Sequence, residues 1–232
     1  MRKVQPIQPM RPAGFTLIEL LVVIGIIAVL AAMIFPASNM IKVKGMRSKA
    51  KAELEQVASA IDSYHAKYGH YPPDNPLTTN PNRFVLNPLF YELQGTRKTQ
   101  VGAQQVYETL DGRTNLPVGL VPVRLPGVMG FVNCTQGGGD EIAAAQTFLS
   151  KLTPGRYGFN SDGVGFLTTS VAWPERFGPV IPGAASDLNP IRYNSSSPTN
   201  NPKSYDLWVD IVVGGKTNRI SNWSQQYEVV SN

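Results

Sequence analysis

The pattern of apolar and polar positions divides the chain into three regimes. From Phe15 to Ala37, 23 residues carry a single charge, Glu19. That is long enough to cross a bilayer as a helix, which needs about 20 residues. Beyond Pro36 the pattern becomes periodic. Apolar residues recur at Ile41, Met46, Ala50, Leu54, Val57, Ala58, Ile61, Tyr64 and Tyr68, largely in steps of three and four, the spacing of an amphipathic helix. Gly69 and the Pro72-Pro73 pair then stop it. A continuous helix from Phe15 to Tyr68 would reach about 80 Å at roughly 1.5 Å per residue, with a kink expected near Pro36. Its Leu54–Ile61–Tyr68 face is expected against a sheet.

The third regime is short elements between turn residues. "PPDNPLTTNPN" reads as loop, and a short helix should follow with Asn87 as cap, Pro88 at its first position and Gly95 past its end. A second helix is predicted over Asp140–Leu152, closed by Pro154-Gly155. Strands are predicted within Gly163–Trp173, Ile191–Tyr193, Tyr205–Val213 and Gln226–Val230, all apolar and β-branched. The fold class is therefore α+β: a long N-terminal helix on a small antiparallel sheet. With 21 Gly and 19 Pro, long loops are expected in the middle of the chain.

Charge refines the picture. The formal net charge is +5, but three of the 21 Lys and Arg (Arg2, Lys3, Arg11) precede the apolar run and five (Lys42, Lys44, Arg47, Lys49, Lys51) follow it closely. From Ala52 onward 13 basic residues face 15 acidic ones. The basic character is juxtamembrane, pointing to membrane lipid, and no nucleic-acid partner is expected. One cysteine, Cys134, excludes an internal disulfide framework. His65 and His70 lie five residues apart without an acidic cluster, which disfavours a zinc site.

Glu19 decides between readings of the apolar run. A carboxylate inside a membrane costs on the order of 3 kcal/mol even on lenient insertion scales. A plain N-terminal anchor leaves it unexplained. A cleaved secretory signal has an apolar core of roughly 7–15 residues and a small-x-small site, and none is convincing around Ala31–Ser38. The stretch Gly14-Phe15-Thr16-Leu17-Ile18-Glu19, after a short basic leader and with Pro36 21 residues beyond Phe15, resembles the class III signal of the type IV pilin and type II secretion pseudopilin superfamily. The resemblance implies cleavage after Gly14 by a prepilin peptidase, methylation of the new amino terminus at Phe15 by the same enzyme, and a filament. There Glu19 would pair with the α-amino group of a neighbouring subunit. Two buried charges that are costly alone become tolerable together, so Phe15, Glu19 and Pro36 are the candidate assembly residues. A positive-inside count alone would put the C-terminal body in the cytoplasm; the resemblance implies the reverse.

Two further stretches extend it. Tyr64, Tyr68, Gly69, Tyr71 and Pro72 are similar to the tyrosines and Gly-x-Tyr-Pro at which major pseudopilins leave the stalk helix, although buried tyrosines at a helix end explain them equally. Asp187, Pro190, Tyr193, Tyr205-Asp206-Leu207-Trp208 and Asn222-Trp223 loosely resemble the same family's closing strands. There the loop before Asn-Trp often holds calcium. Here Thr217, Asn218 and Arg219 stand where aspartates would be expected, leaving Asp210 and Asn218 as weak calcium candidates; no other cofactor is expected.

Enzyme signatures were weighed against this. Gly137–Asp140 ("GGGD") lacks the Lys-Ser/Thr of a P-loop. "NSDGVG" (Asn160–Gly165) has no glutamate at the distance a calcium loop needs. Trp173 and Phe177 suit sheet packing as well as a ligand. No catalytic constellation emerges, and a non-enzyme is expected. The sequence thus predicts a leader at 1–14, a transmembrane helix at 15–37, an amphipathic stalk at 38–68 and a head at 69–232 with a central insertion at about 76–186. The resemblance implies a major (G-type) pseudopilin with an enlarged head, single-pass in a bacterial inner membrane, its head in the periplasm and extracted into a filament. Implied partners are the peptidase/methyltransferase, identical and minor subunits, and an inner-membrane platform protein with its assembly ATPase. The alternatives are a type IV pilus subunit for adhesion, motility or DNA uptake, or an uncleaved membrane-anchored binding protein.

Overall fold

The computed structural model describes residues 14–135 and 144–230, the side chains of 33–39 excepted. Residues 1–13 of the leader and the whole Gly137–Asp140 segment, within residues 136–143, lie outside the described residues. Two compact units make up the chain, Met1–Val43 and Lys44–Asn232.

Helix α1 spans Leu17–Tyr68, helical through Pro36, whose side chain lies outside the described residues. In the first unit its side chains from Leu17 to Leu30 are exposed on every side. No helix among the described residues is long and apolar enough to cross a membrane; the span expected over 15–37 reaches into side chains that are not described. In the second unit α1 is amphipathic as its spacing predicts. Ala50, Leu54, Val57, Ile61 and Tyr64 are buried, while Tyr68 is only half-buried. The helix stops where expected, with the Gly69 N–H bonded to the His65 carbonyl at 2.8 Å.

The second unit holds three small sheets. β1 (Thr96–Val101), β2 (Gln104–Thr109), β3 (Asn115–Pro117) and β4 (Cys134–Thr135) run in the order β3-β2-β1-β4. β5 (Tyr157–Phe159), β6 (Gly165–Thr169) and β7 (Asn189–Pro190) form the second, with β6 central. β8 (Arg192–Asn194), β9 (Asp206–Val213), β10 (Lys216–Ser221) and β11 (Glu228–Val230) form the third, in the order β11-β10-β9-β8. Pairing is antiparallel as expected, except for the short parallel pair β1–β4. Three of the four predicted strand regions contain β6, β9 and β11, and Ile191–Tyr193 overlaps β8, which runs on to Asn194.

The predicted short helix is α2 (Leu89–Gln94), with every residue buried. Its N-cap is Pro88, expected as the first helical residue; Asn87, expected as the cap, stands one residue earlier and accepts the Leu89 N–H at Oδ1, 3.0 Å. A four-residue α3 (Val121–Arg124) lies farther on. The helix predicted over Asp140–Leu152 is a correction: residues 144–152 are irregular. Their N–H groups bond outward instead of to a preceding turn. Ala145 donates to Thr135 Oγ1 (2.7 Å) and Gln146 to Asn133 Oδ1 (2.9 Å). Phe148 donates to the Leu93 carbonyl (2.8 Å). Tertiary partners for these groups outweigh the local helix propensity of "AAAQ".

Two further corrections concern strands. The stretch after Val213, expected as a loop, is β10. Gly214 and Gly215 both have positive φ (60° and 76°), the two-residue turn that matches the twist of an antiparallel hairpin, so Lys216 returns directly opposite Val213. The loop-rich middle contains the β1–β2 hairpin, paired from Thr96↔Thr109 to Val101↔Gln104.

Candidate functional site

The site begins at the first residues described. Gly14, Phe15 and Thr16 precede α1 without regular structure, and all three are exposed. Thr16 is the helix cap. Glu19 Oε2 accepts the Thr16 N–H at 2.8 Å and the Thr16 Oγ1–H at 2.6 Å, while Thr16 Oγ1 accepts the Glu19 N–H at 3.3 Å. This reciprocal pair is a capping box, and its carboxylate lies at the positive end of the helix dipole. The signal was present in the sequence as Thr-x-x-Glu, yet the sequence reading gave Thr16 no role. Glu19 Oε1 accepts no hydrogen bond among the described residues. Around it, Phe15, Ile18, Val22 and Val23 join Glu19 in lining a shallow groove of about 330 Å³. Phe15 is 78% exposed and Leu17 81%. A helix apolar all round is one that something else must cover.

Comparison with known proteins falls on this segment. Residues 9–35 match the family described as the prokaryotic N-terminal methylation motif. This N-terminal segment carries the prepilin-type methylation motif that type IV pilins and type II secretion pseudopilins share. The type II secretion system core protein G of Escherichia coli (strain K12) is 40% identical over 62 residues, which cover 27% of this chain and 43% of that protein. The type IV major pilin protein PilE of Neisseria gonorrhoeae is likewise 40% identical over 62 residues, 27% of this chain and 37% of the relative. A fimbrial protein of Neisseria meningitidis serogroup A is 39% identical over 62 residues, 27% and 36%. The chain thus spans less than half the length of the curated relatives it matches. No solved structure matches it.

The superfamily's head-ward candidates look different in place. Asp210 and Asn218, the weak calcium pair, lie on neighbouring strands but not together. Asp210 is opposite Arg219, whereas Asn218 is opposite Ile211, and adjacent residues of a strand point to opposite faces. Both Asp210 oxygens are held by Arg219, at 2.8 and 3.0 Å, with Arg192 3.8 Å away. Asn218 Oδ1 accepts from the Arg47 guanidinium at 2.8 Å. Guanidinium groups therefore occupy the oxygens that a cation would need. Among the described residues no group of three or more His, Cys, Asp and Glu is arranged to hold a metal ion.

What the sequence reading missed is how the second half of α1 is fastened. Two buried carboxylates do it. Glu53, on α1, accepts from Thr169 Oγ1 (2.6 Å), from the Ser170 N–H (2.9 Å) and from Ser170 Oγ. The Arg156 guanidinium is 3.8 Å away. Burial pushes the Glu53 pKa up, but the Ser170 and Thr169 hydrogen bonds and the Arg156 charge outweigh it and leave it lowered. Glu92, on α2 and wholly buried, accepts the N–H groups of Val132 (2.7 Å) and Asn133 (2.8 Å) and the hydroxyl of Tyr64 from α1 (3.0 Å). There burial wins and the pKa is raised. Tyr68 adds a hydrogen bond to Asn133 Oδ1 at 2.8 Å. The tyrosines read from the Tyr-x-x-x-Tyr-Gly pattern are thus anchors of the helix end.

Proposed function

We propose that this chain is a structural filament subunit. Prepilin peptidase would cut between Gly14 and Phe15, and methylation would follow at the new amino terminus. Residues 15–37 would hold the processed subunit in the bacterial inner membrane as a single span, with the head in the periplasm, until the assembly ATPase and platform protein draw it into a filament. The reading is a non-enzymatic one. It is carried by one observation: the capped start of α1, where exposed Gly14 and Phe15 lead into a box that fixes Glu19 with one oxygen still open. After cleavage the α-amino group would sit one residue before the Thr16 N–H that already bonds Glu19. A neighbouring subunit's amine would meet a carboxylate oriented in advance, lowering the entropic cost of pairing. The all-round apolar surface that follows would be covered by lipid before assembly and by other subunits after it.

Within this reading we favour a pseudopilus of a type II secretion system, built mainly from this subunit with minor ones. The single cysteine, Cys134, is buried and free, so the head has no disulfide-closed loop of the kind expected for a type IV pilin. The equal identity to PilE and to core protein G supports a type IV pilus subunit as the second reading. Deletion of the gene separates them. Loss of exported proteins from the culture medium with surface filaments intact supports the pseudopilus; loss of surface filaments with export intact supports the pilus. If neither changes, the filament proposal fails.

A further inference from the structure

One basic surface of the second unit has no role in the reading above. Arg47, Lys51 and Glu55 of α1 and Ser224, Gln226 and Tyr227 near the chain's end line a groove of about 560 Å³. The Arg47 guanidinium lies 3.5 Å from the centre of the Tyr227 ring and donates to Asn218 Oδ1, while its Nε–H is buried without a partner. Lys51 Nζ donates to the carbonyls of Ser221 (2.9 Å) and Ser224 (3.1 Å), and an ammonium group has a third N–H to give. Lys44 and Lys49 stand exposed on the same helix. None of these four cations forms a salt bridge among the described residues. No acidic residue occurs between Glu19 and Glu53. Tyr227 and Val229 beside the groove are 44% and 57% exposed.

We propose that this groove, with the exposed Lys44 and Lys49 set around the same stretch of α1, forms a docking surface for the headgroups of anionic phospholipid. The inference rests on the anchored-subunit reading, in which the basic block is the first charged stretch to leave the bilayer. Three features argue for a lipid surface. The Arg47 guanidinium carries a fixed positive charge that suits a phosphate. A tyrosine beside an exposed valine is the side-chain mix found at the headgroup level. A block of basic residues directly after an apolar run is the pattern that binds anionic leaflets. Glu55 lines the same groove and opposes a phosphate, but Lys44, Arg47, Lys49 and Lys51 outnumber it. The surface would hold the stalk at the membrane face until extraction, and each charge would add to the work of extraction.

The test uses the full chain purified from membranes in mild detergent, titrated with phosphatidylglycerol or with phosphatidylcholine of the same acyl chains and read by native mass spectrometry. Phosphatidylglycerol is expected to bind more tightly. Lys44→Gln with Lys49→Gln, both exposed, should weaken it by about fivefold per charge removed. Arg47→Gln should do the same, while Lys67→Gln, near the far end of α1, should change nothing. Equal binding of the two lipids, or a double variant that binds like the parent, overturns the proposal. Dimers that disappear in the lysine variants, with no lipid preference, overturn it in favour of a contact between copies. A chain recovered from the soluble fraction of cells would instead overturn the anchored reading beneath it.

Discussion

Tyr64→Phe should loosen the head from α1 without leaving a cavity. The substitution removes one atom, the hydroxyl that donates to Glu92 at 3.0 Å in a site where both side chains are fully buried. A hydrogen bond to a charged group contributes about 1.5–3 kcal/mol, and the two backbone donors from Val132 and Asn133 remain, so the loss should be near 2 kcal/mol. In a unit of this size each kcal/mol shifts the melting temperature by about 2–4 °C, giving roughly 4–8 °C. The assay is thermal unfolding of the full chain in detergent, followed by circular dichroism. The pH dependence carries a sign. Burial raises the Glu92 pKa above its unfolded value, so its contribution to stability is full below the unfolded pKa and is lost as pH rises through the folded one. Removing a donor to the carboxylate raises that pKa further and steepens the loss. The gap between variant and parent should therefore widen as pH rises from about 4, the ordinary carboxylate value, through the raised folded one. A variant melting within about 1 °C of the parent throughout that range, or a gap that narrows as pH rises, would refute the reasoning.

Other expectations follow from the same geometry. Glu53→Gln leaves Arg156 buried beside a neutral group and should cost about 3–5 kcal/mol, measured by denaturant unfolding. Since the Glu53 pKa is lowered in the fold, the parent's advantage should be present above the unfolded pKa and fade as pH falls through the folded one; an advantage that grows on acidification would contradict the assignment. A Cβ at Gly165 would come within 2.6 Å of the Phe90 ring, so Gly165→Ala should destabilise by about 1–3 kcal/mol, again by denaturant. Thr16→Ala removes the hydroxyl half of the capping box, leaving the residue-16 N–H to Glu19 in place, and should cost about 1 kcal/mol locally. Amide exchange should quicken at Leu17–Leu20 while the head's melting temperature stays put, and unchanged exchange there would mean that the box does not form.

The parts legible in the sequence are those whose signal is local and apolar. The three- and four-residue steps from Ala50 through Leu54 and from Val57 to Ile61 and Tyr64 mark the buried stripe of α1, and Gly69 marks its end. Asn87-Pro88 and Gly95 bracket α2 because cap and stop are set within a few residues. β9 announces itself as "DLWVDIVV". Its partner β10 does not, because "KTNRIS" is polar. It becomes a strand through the Gly-Gly turn and through Arg219 and Asn218 finding partners in Asp210 and Arg47. The β1–β2 hairpin was hidden for the same reason, being largely polar on both strands. Residues 144–152 read as helix since alanines favour it, but Asn133, Thr135 and Leu93, distant in sequence, claim their N–H groups. Nothing local marks Glu53 and Glu92 as buried, because their donors (Thr169 and Ser170; Tyr64, Val132 and Asn133) are distant in sequence. The proposed assembly site is the reverse case. Gly14, Phe15 and Glu19 stand in one short run, and Thr16-x-x-Glu19 carries the cap in the same stretch.

The central claim is that Gly14–Phe15 is a processing junction. The most direct measurement is the mass and N-terminal sequence of the protein isolated from native membranes. A chain that starts at N-methylated Phe15 is the predicted result. A chain that still carries residues 1–14 in cells containing the peptidase would contradict the account and leave Glu19 as the cap of a plain anchor helix.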